Sequence, residues 1–240
     1  MESDHKNLQE IIKFRLEKLG KIKNAGINPY AYNFDKKDSI KSLIKTGHDG
    51  VGNKVITAGR MVSFRKMGKA SFTHIQDESS KIQIYLKSDL LPESIYDNIV
   101  RNLDLGDIIG CTGELFVTKM GELSIKADNI NILSKNIRPL PNMKEKEGES
   151  FNAFEDKELR YRHRQLDLIA NPEIKAVFKK RAKIISSIRK YLDDNSFVEV
   201  ETPVLQPVYG GASARPFITY HNTLEEPLYL RIADELYLKR

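Results

Sequence analysis

The chain has 240 residues, 40% of them hydrophobic and 30% charged, a balance that supports packed cores and excludes global disorder and a collagen-like fibre. Lys and Arg number 39 against 33 Asp and Glu, a net charge of +6, which is compatible with an anionic partner without requiring one. The longest uncharged stretch, Thr202 to Ala214, is interrupted by prolines and glycines and is too short to span a bilayer, so no membrane partner is expected. The opening MESDHKNLQEI lacks the apolar run of a secretory signal. A single cysteine, Cys111, excludes an internal disulfide framework and a cysteine-based zinc site, and points to a reducing compartment, the cytosol.

In chain order, the first element is helical. Leu8, Ile11, Ile12, Leu16, Leu19 and Ile22 recur at three- and four-residue steps, and Gly26 and Pro29 end the pattern. Lys6, Lys13, Lys21 and Lys23 lie on the opposite face, either simply solvated or facing phosphates. From 54 to 134 the period is two. Val55, Thr57, Gly59 and Met61 alternate with Ile56, Ala58, Arg60 and Val62; Phe72, His74 and Gln76 with Thr73 and Ile75; Ile82, Ile84 and Leu86 with Gln83 and Tyr85. A helix-like piece, Pro92 to Leu103, precedes two more strands, Asp107 to Thr118 and Glu122 to Leu133, joined by a Met120-Gly121 turn. Three strands, a helix and two strands is the element order of an OB-fold barrel.

Arg138 to Pro141 and the charged run Lys144 to Glu149 read as a linker. Two helices are predicted beyond it, Asp156 to Ala170 and Glu173 to Asn195, with Pro172 near the start of the second. Val198, Val200 and Thr202 predict a strand ended by Pro203, and Tyr229, Arg231 and Ala233 another. The expected organisation is α+β: a helical extension over 1–50, a barrel over 51–140, a linker over 141–154 and a second domain over 155–240.

No phosphate-binding G-x-x-x-x-G-K-[ST] occurs, Gly47 to Gly52 has the wrong spacing for a dinucleotide turn, and the five histidines show no ligand spacing, so no metal site is expected. A barrel of this type offers a surface for single-stranded nucleic acid, where an aromatic ring stacks a base and amides or carboxylates beside it read the base edge. Phe72 follows Arg65, Lys66 and Lys69, and Gln83 lies on the next strand. The plainer alternative is that Phe72 is a core residue. Val208 to Phe217 is Gly-rich, which lets backbone approach a ligand closely or makes an ordinary turn. Glu235, in the charged stretch Arg231 to Arg240, suits an ammonium group if it lines a pocket; otherwise it is a surface residue.

From about residue 50 to the end, several stretches in order resemble the class II lysyl-tRNA synthetases: GRMVSFRKMGKASFTHIQD, KIQIYL, LDLGDIIGCTGELFVTKMGELSI, RPLP, LRYRHRQLDLI, FVEVETPVL, GGASARPFITYHN and YLRIADELYLKR. The resemblance implies an anticodon-binding OB domain, then the start of a class II antiparallel-sheet catalytic domain. Within the latter, helix 173–195 and the segment ending at Pro203 correspond to motif 1, the homodimer interface of the class. The family's anticodon residues fall on Arg65, Phe72, Gln83 and Glu122, and its α-ammonium ligands for lysine on Gly211 and Glu235.

The implied activity is ATP-dependent attachment of lysine to tRNA(Lys) through a lysyl-adenylate, with Mg2+, in a cytoplasmic homodimer. Two alternatives stay open: a related aspartyl or asparaginyl enzyme, and a non-catalytic tRNA- or RNA-binding module. Two departures from the family pattern stand out. Asp234 occupies a position that is usually proline. Motifs 2 and 3, with their ATP-clamping arginines, and the main Mg2+ ligands are expected after residue 240, so no catalytic residue is assigned here and the 240 residues alone are expected to be inactive.

Overall fold

The N-terminal periodicity forms one helix, α1 (Glu2–Asn24). This computed structural model describes residues 2–68, 70–141, 143–146, 149–152, 154 and 156–239; Lys69 and Arg240 of the sequence reading lie outside them. Two compact units divide the chain, one up to Leu166 and one from Asp167.

Helix α1 docks through its C-terminal turns. Ile22 is fully buried, whereas Leu8, Ile11 and Leu16 stay more than a third exposed. Two basic side chains complete the attachment. Arg15 donates from Nη1 to the carbonyl of Asn136 at 3.1 Å, and Lys18 Nζ meets Asp104 Oδ1 at 2.5 Å. Asp104 also meets the wholly buried ammonium of Lys135 at 2.6 Å, and Lys135 in turn contacts Asp107, equally buried, at 2.8 Å. The remaining lone pairs of Asp107 accept the backbone N–H groups of Asp104 and Asn136 at 2.8 and 2.7 Å. A buried charge is tolerated when it is paired and hydrogen-bonded in this way. Burial alone would raise the Asp104 pKa, but Lys135 and Lys18 outweigh it and hold the carboxyl below its ordinary range.

A second helix, α2 (Ile40–Thr46), starts at a Ser39 cap. Asp77 secures it from outside the helix, accepting from Ile40 N at 3.0 Å and from Lys36 Nζ at 2.7 Å. Five strands follow: β1 (Lys54–Met67), β2 (Ala70–Gln76), β3 (Lys81–Lys87), β4 (Ile108–Val117) and β5 (Leu123–Ser134), with α3 (Glu93–Asn98) and a 3-10 turn between β3 and β4. They close into a barrel in the order β1-β2-β3-β5-β4, confirming the OB-type architecture. Val55, Met61, Ile75, Ile84, Leu86, Ile109, Leu115, Ile125 and Ile130 fill its interior. At Gly113 the strands run so close that a Cβ would lie 2.2 Å from the carbonyl oxygen of Lys126.

Strand β1 serves two neighbours: Lys54 to Arg60 pair with β4, and Arg60 to Met67 with β2. A bulge between Met61 and Ser63 interrupts the pairing with β2. Unbroken alternation from the buried Met61 would point Ser63 and Arg65 into the core. The extra residue inverts the phase, so Phe64 packs against the core while Ser63 and Arg65 turn outward, opposite His74 and Phe72.

Several expectations are corrected. The stretch read as a linker contains an antiparallel hairpin of β6 (Met143–Lys146) and β7 (Glu149–Asn152). The helix predicted over 156–170 is two, α4 (Lys157–Arg162) and α5 (Arg164–Ala170), because His163 between them leaves helical geometry at φ −118° and ψ 56°. Helix α6 (Pro172–Asp194) forms as expected. The segment 198–203 is not a strand: among the described residues no strand pairs with it, and strand pairing begins only at β8 (Leu205–Gln206). The last predicted strand starts earlier and ends sooner. It is β10 (Glu226–Leu230), the centre of a sheet ordered β8-β10-β9 with β9 (Ile218–His221). A short helix, α7 (Glu235–Leu238), follows.

Candidate nucleic-acid interface and amino-acid pocket

The barrel gathers four of the singled-out residues on one outer face. Phe72 on β2 points away from the core and is half-buried, so it is not the core residue of the plainer reading. Its ring packs against that of Tyr85 of β3, centroids 5.0 Å apart and planes tilted by 37°, and Tyr85 lies 5.9 Å from Phe116 of β4. Three rings thus form a row across the barrel. Arg65 stands exposed on β1, directly opposite Phe72.

Beside the row, Gln83 Nε2 donates to Glu122 Oε2 at 2.7 Å, and Ser124 Oγ donates to Gln83 Oε1 at 3.0 Å. His74 joins at 2.8 Å from Glu122 Oε1. Such a face has what a nucleic-acid loop requires: aromatic surface for stacking, an amide and a carboxylate for base edges, and a cation for phosphate. Lys66, one residue on, turns to the other side of β1, its ammonium 5.2 Å over the Phe64 ring, and does not belong to this face. Burial, chiefly, with Lys18 and Arg101 nearby, lowers its pKa.

Sequence reasoning missed Tyr85, Phe116, Ser63, Ser124 and the role of His74. A signal existed for two of them. Tyr85 and His74 sit two residues from Gln83 and Phe72, and period two puts such residues on the same face. Phe116 and Ser63 needed the barrel closure and the bulge, which no local pattern reveals.

In the second unit the Gly-rich loop meets α7. Gly211 has φ +86°, and a Cβ there would lie 2.9 Å from Glu235 Cβ and 3.2 Å from Glu235 Oε2. Only glycine lets that backbone lie against the carboxylate. Glu235 is exposed and pairs with Lys239 one turn on. Asp234, at the position where the resemblance leads one to expect proline, is held by Thr202 Oγ1 and by Arg231 Nη1, the latter at 2.8 Å. Arg231 also donates to the carbonyl of Thr202 at 2.9 Å, which ties the segment before Pro203 to the start of α7. Pro203 itself is exposed. Along α6, Val177, Ile184 and Ile188 are each more than half exposed, and an apolar groove runs past Ile184, Ile188, Tyr191 and Leu192.

Comparison with known proteins agrees with both regions. Residues 55–133 match the model of an OB-fold nucleic acid binding domain, and residues 156–240 that of the class II tRNA synthetases (D, K and N). A lysine–tRNA ligase of Fusobacterium nucleatum is 48% identical over 238 residues, 99% of this chain and 46% of that protein. Over nearly its whole length the chain is similar to lysine–tRNA ligases. Similar likenesses are found to the lysine–tRNA ligases of Carboxydothermus hydrogenoformans, 46% identical over 99% of the chain and 47% of the relative, and of a Thermoanaerobacter species, 48% over 97% and 45%. The chain therefore spans about half the length of these curated relatives. Among the described residues no helix is long and apolar enough to cross a membrane. No group of three or more His, Cys, Asp or Glu among them is placed to hold a metal ion.

Proposed function

We propose that this chain supplies the anticodon-reading domain and one edge of the lysine site of an ATP-dependent lysine–tRNA ligase, a cytoplasmic homodimer that forms lysyl-adenylate and passes lysine to tRNA(Lys). The observation that carries this is the outer barrel face, where Arg65, Phe72, Gln83 and Glu122 converge. In this reading a loop base stacks on Phe72, Gln83 and Glu122 bond its edge, and Arg65 neutralises phosphate.

In the second unit the carbonyl of Gly211 and the carboxylate of Glu235 are both acceptors, and an α-ammonium brings three donors to satisfy. Lysine would displace Lys239 as the partner of Glu235. The exposed apolar stripe of α6 supports the homodimer, with Pro203 at the same interface. ATP is a substrate of the proposed reaction. The described residues do not assemble the oxygen ligands that Mg2+ requires, and no step is assigned to that ion. The family model spans aspartate, lysine and asparagine enzymes, and the lysine–tRNA ligases among the relatives favour lysine.

The test is binding of an anticodon stem-loop RNA of tRNA(Lys) to the 240-residue chain. Phe72→Ala is expected to weaken binding by about 1–3 kcal/mol, and rising salt should weaken the wild type steadily. Unchanged affinity in a Phe72→Ala protein that melts normally would remove the stacking role.

A further inference from the structure

Glu122 is held from two sides. Gln83 Nε2 donates to its Oε2 at 2.7 Å, and His74 Nε2 lies 2.8 Å from its Oε1. A carboxylate only accepts, so His74 Nε2 carries a hydrogen. The other ring nitrogen, Nδ1, lies 2.7 Å from Ser63 Oγ, which already accepts the His74 backbone N–H at 3.1 Å. In the neutral ring the Ser63 hydroxyl therefore donates to Nδ1 while one of its lone pairs accepts the backbone N–H.

At the far end, Ser124 Oγ donates to Gln83 Oε1 at 3.0 Å. Glu122, which only accepts, thus tells the two ends of the Gln83 amide apart: nitrogen to Glu122, oxygen to Ser124, whose hydroxyl also lies 3.2 Å from the Glu122 carbonyl. One N–H of Gln83 and one lone pair of its oxygen remain for a ligand. Ser63 reaches this chain only because the β1 bulge turns it outward opposite His74.

We propose that His74 is a positioning residue for base recognition: by holding Glu122 it fixes which way the Gln83 amide faces, and hence which base edge the barrel accepts. This rests on the reading of that face as an RNA site. Without His74, Glu122, whose side chain is 47% exposed, swings free. The Gln83 amide can then turn over, exchanging donor and acceptor in place. Stacking on Phe72 and phosphate contact by Arg65 need neither group, so selectivity falls more than affinity.

The experiment titrates two stem-loop RNAs, identical except for uridine or cytidine at the central anticodon position, against wild type, His74→Ala and His74→Gln, followed by fluorescence anisotropy. Wild type is expected to prefer one loop by roughly tenfold, and His74→Ala to cut that ratio to about threefold or less, the scale of one or two hydrogen bonds. His74→Gln, which places an N–H donor near the same point, should restore most of the ratio. An unchanged ratio in a folded His74→Ala protein would overturn the proposal. Should His74→Ala fail to fold, Ser63→Ala, which frees the ring without removing it, must lower the ratio instead, and an unchanged ratio there overturns the proposal equally.

If wild type binds neither loop, the RNA reading itself fails and base recognition fails with it. The Gln83 side-chain amide resonances then separate the two failures. A defined pair in wild type that averages in His74→Ala shows His74 orienting Gln83 without RNA, and an unaltered pair denies the orienting role as well.

Discussion

The two units of the chain solve the same problem differently. In the barrel, every strand finds a neighbour on both sides and the apolar face closes on itself, leaving Ile75, Ile84, Ile109 and Ile125 with no exposure at all. In the second unit a three-stranded open sheet and a 23-residue helix carry comparable apolar residues. Yet among the described residues from Asp167 onward, Ala170 and Leu228 are the only buried hydrophobics, while Val177, Ile184, Ile188 and Tyr191 are more than half exposed. The difference teaches that amphipathicity alone does not make a core. A closed sheet supplies its own second layer, whereas an amphipathic helix needs one from elsewhere.

The contrast can be broken experimentally. Lys135→Met should cost the barrel unit about 3–5 kcal/mol, because it strands the buried charge of Asp107; a urea melt following barrel unfolding measures this. A loss below about 1 kcal/mol would mean that the buried pair is replaceable by packing alone. Next in size, Ile84→Ala should cost about 2–5 kcal/mol by opening a cavity in a closed core. Ile188→Ala on α6 should stay within about 0.5 kcal/mol in the same chain. Equal costs at the two positions would erase the distinction between the units.

A smaller effect sharpens the comparison inside the first unit. Burial raises the Asp77 pKa, but Lys36, Ser79 and the backbone N–H groups of Ile40 and Ser80 outweigh it and hold the carboxyl well below its ordinary range. Because the folded pKa is depressed, the stabilisation is complete above the unfolded value, about 3.9, and is lost as pH falls toward the folded one. Asp77→Asn should therefore lower stability by about 1–3 kcal/mol at neutral pH and flatten the acid limb of a thermal-melt series. A mutant with the acid limb of the wild type would show that α2 is held by other groups.

The barrel was legible because strands with one buried face alternate strictly, and a slip of one residue would reverse every side chain. Helix α6 was legible through its long 3.6-residue period and Pro172 at its start. Helix α2 was not, since its seven residues bury only Ile40 and Leu43, too few to show a period. The break at His163 leaves the flanking apolar spacing intact and so has no signature. Val198, Val200 and Thr202 have strand chemistry, but a strand exists only where a partner pairs with it, and local pattern carries no information about partners.

For the site, Arg65, Phe72, Gln83 and Glu235 were singled out from residue chemistry with plainer alternatives beside them, and their roles, with Glu122 and Gly211, came through resemblance. Their convergence on one barrel face and at one loop edge is a property of the fold. The hydrogen bonds that lock Gln83 depend on a bulge that composition does not disclose.

The attachment of α1 has a consequence for how the chain is made. Arg15 bonds a carbonyl 121 residues further on, and Lys18 an aspartate 86 residues on. During synthesis at about 5–20 residues per second, the helix emerges roughly 6–24 seconds before its last partner exists. For that interval Ile22 has no core to enter, and the apolar stripe of α1 is open to any hydrophobic surface nearby. Contacts of such sequence separation also slow folding after release, because loop closure precedes their reward. Helix α1 is thus translated before its partners and among the last elements to be fixed, and a nascent chain stalled before Asn136 would display a helix whose attachment is incomplete.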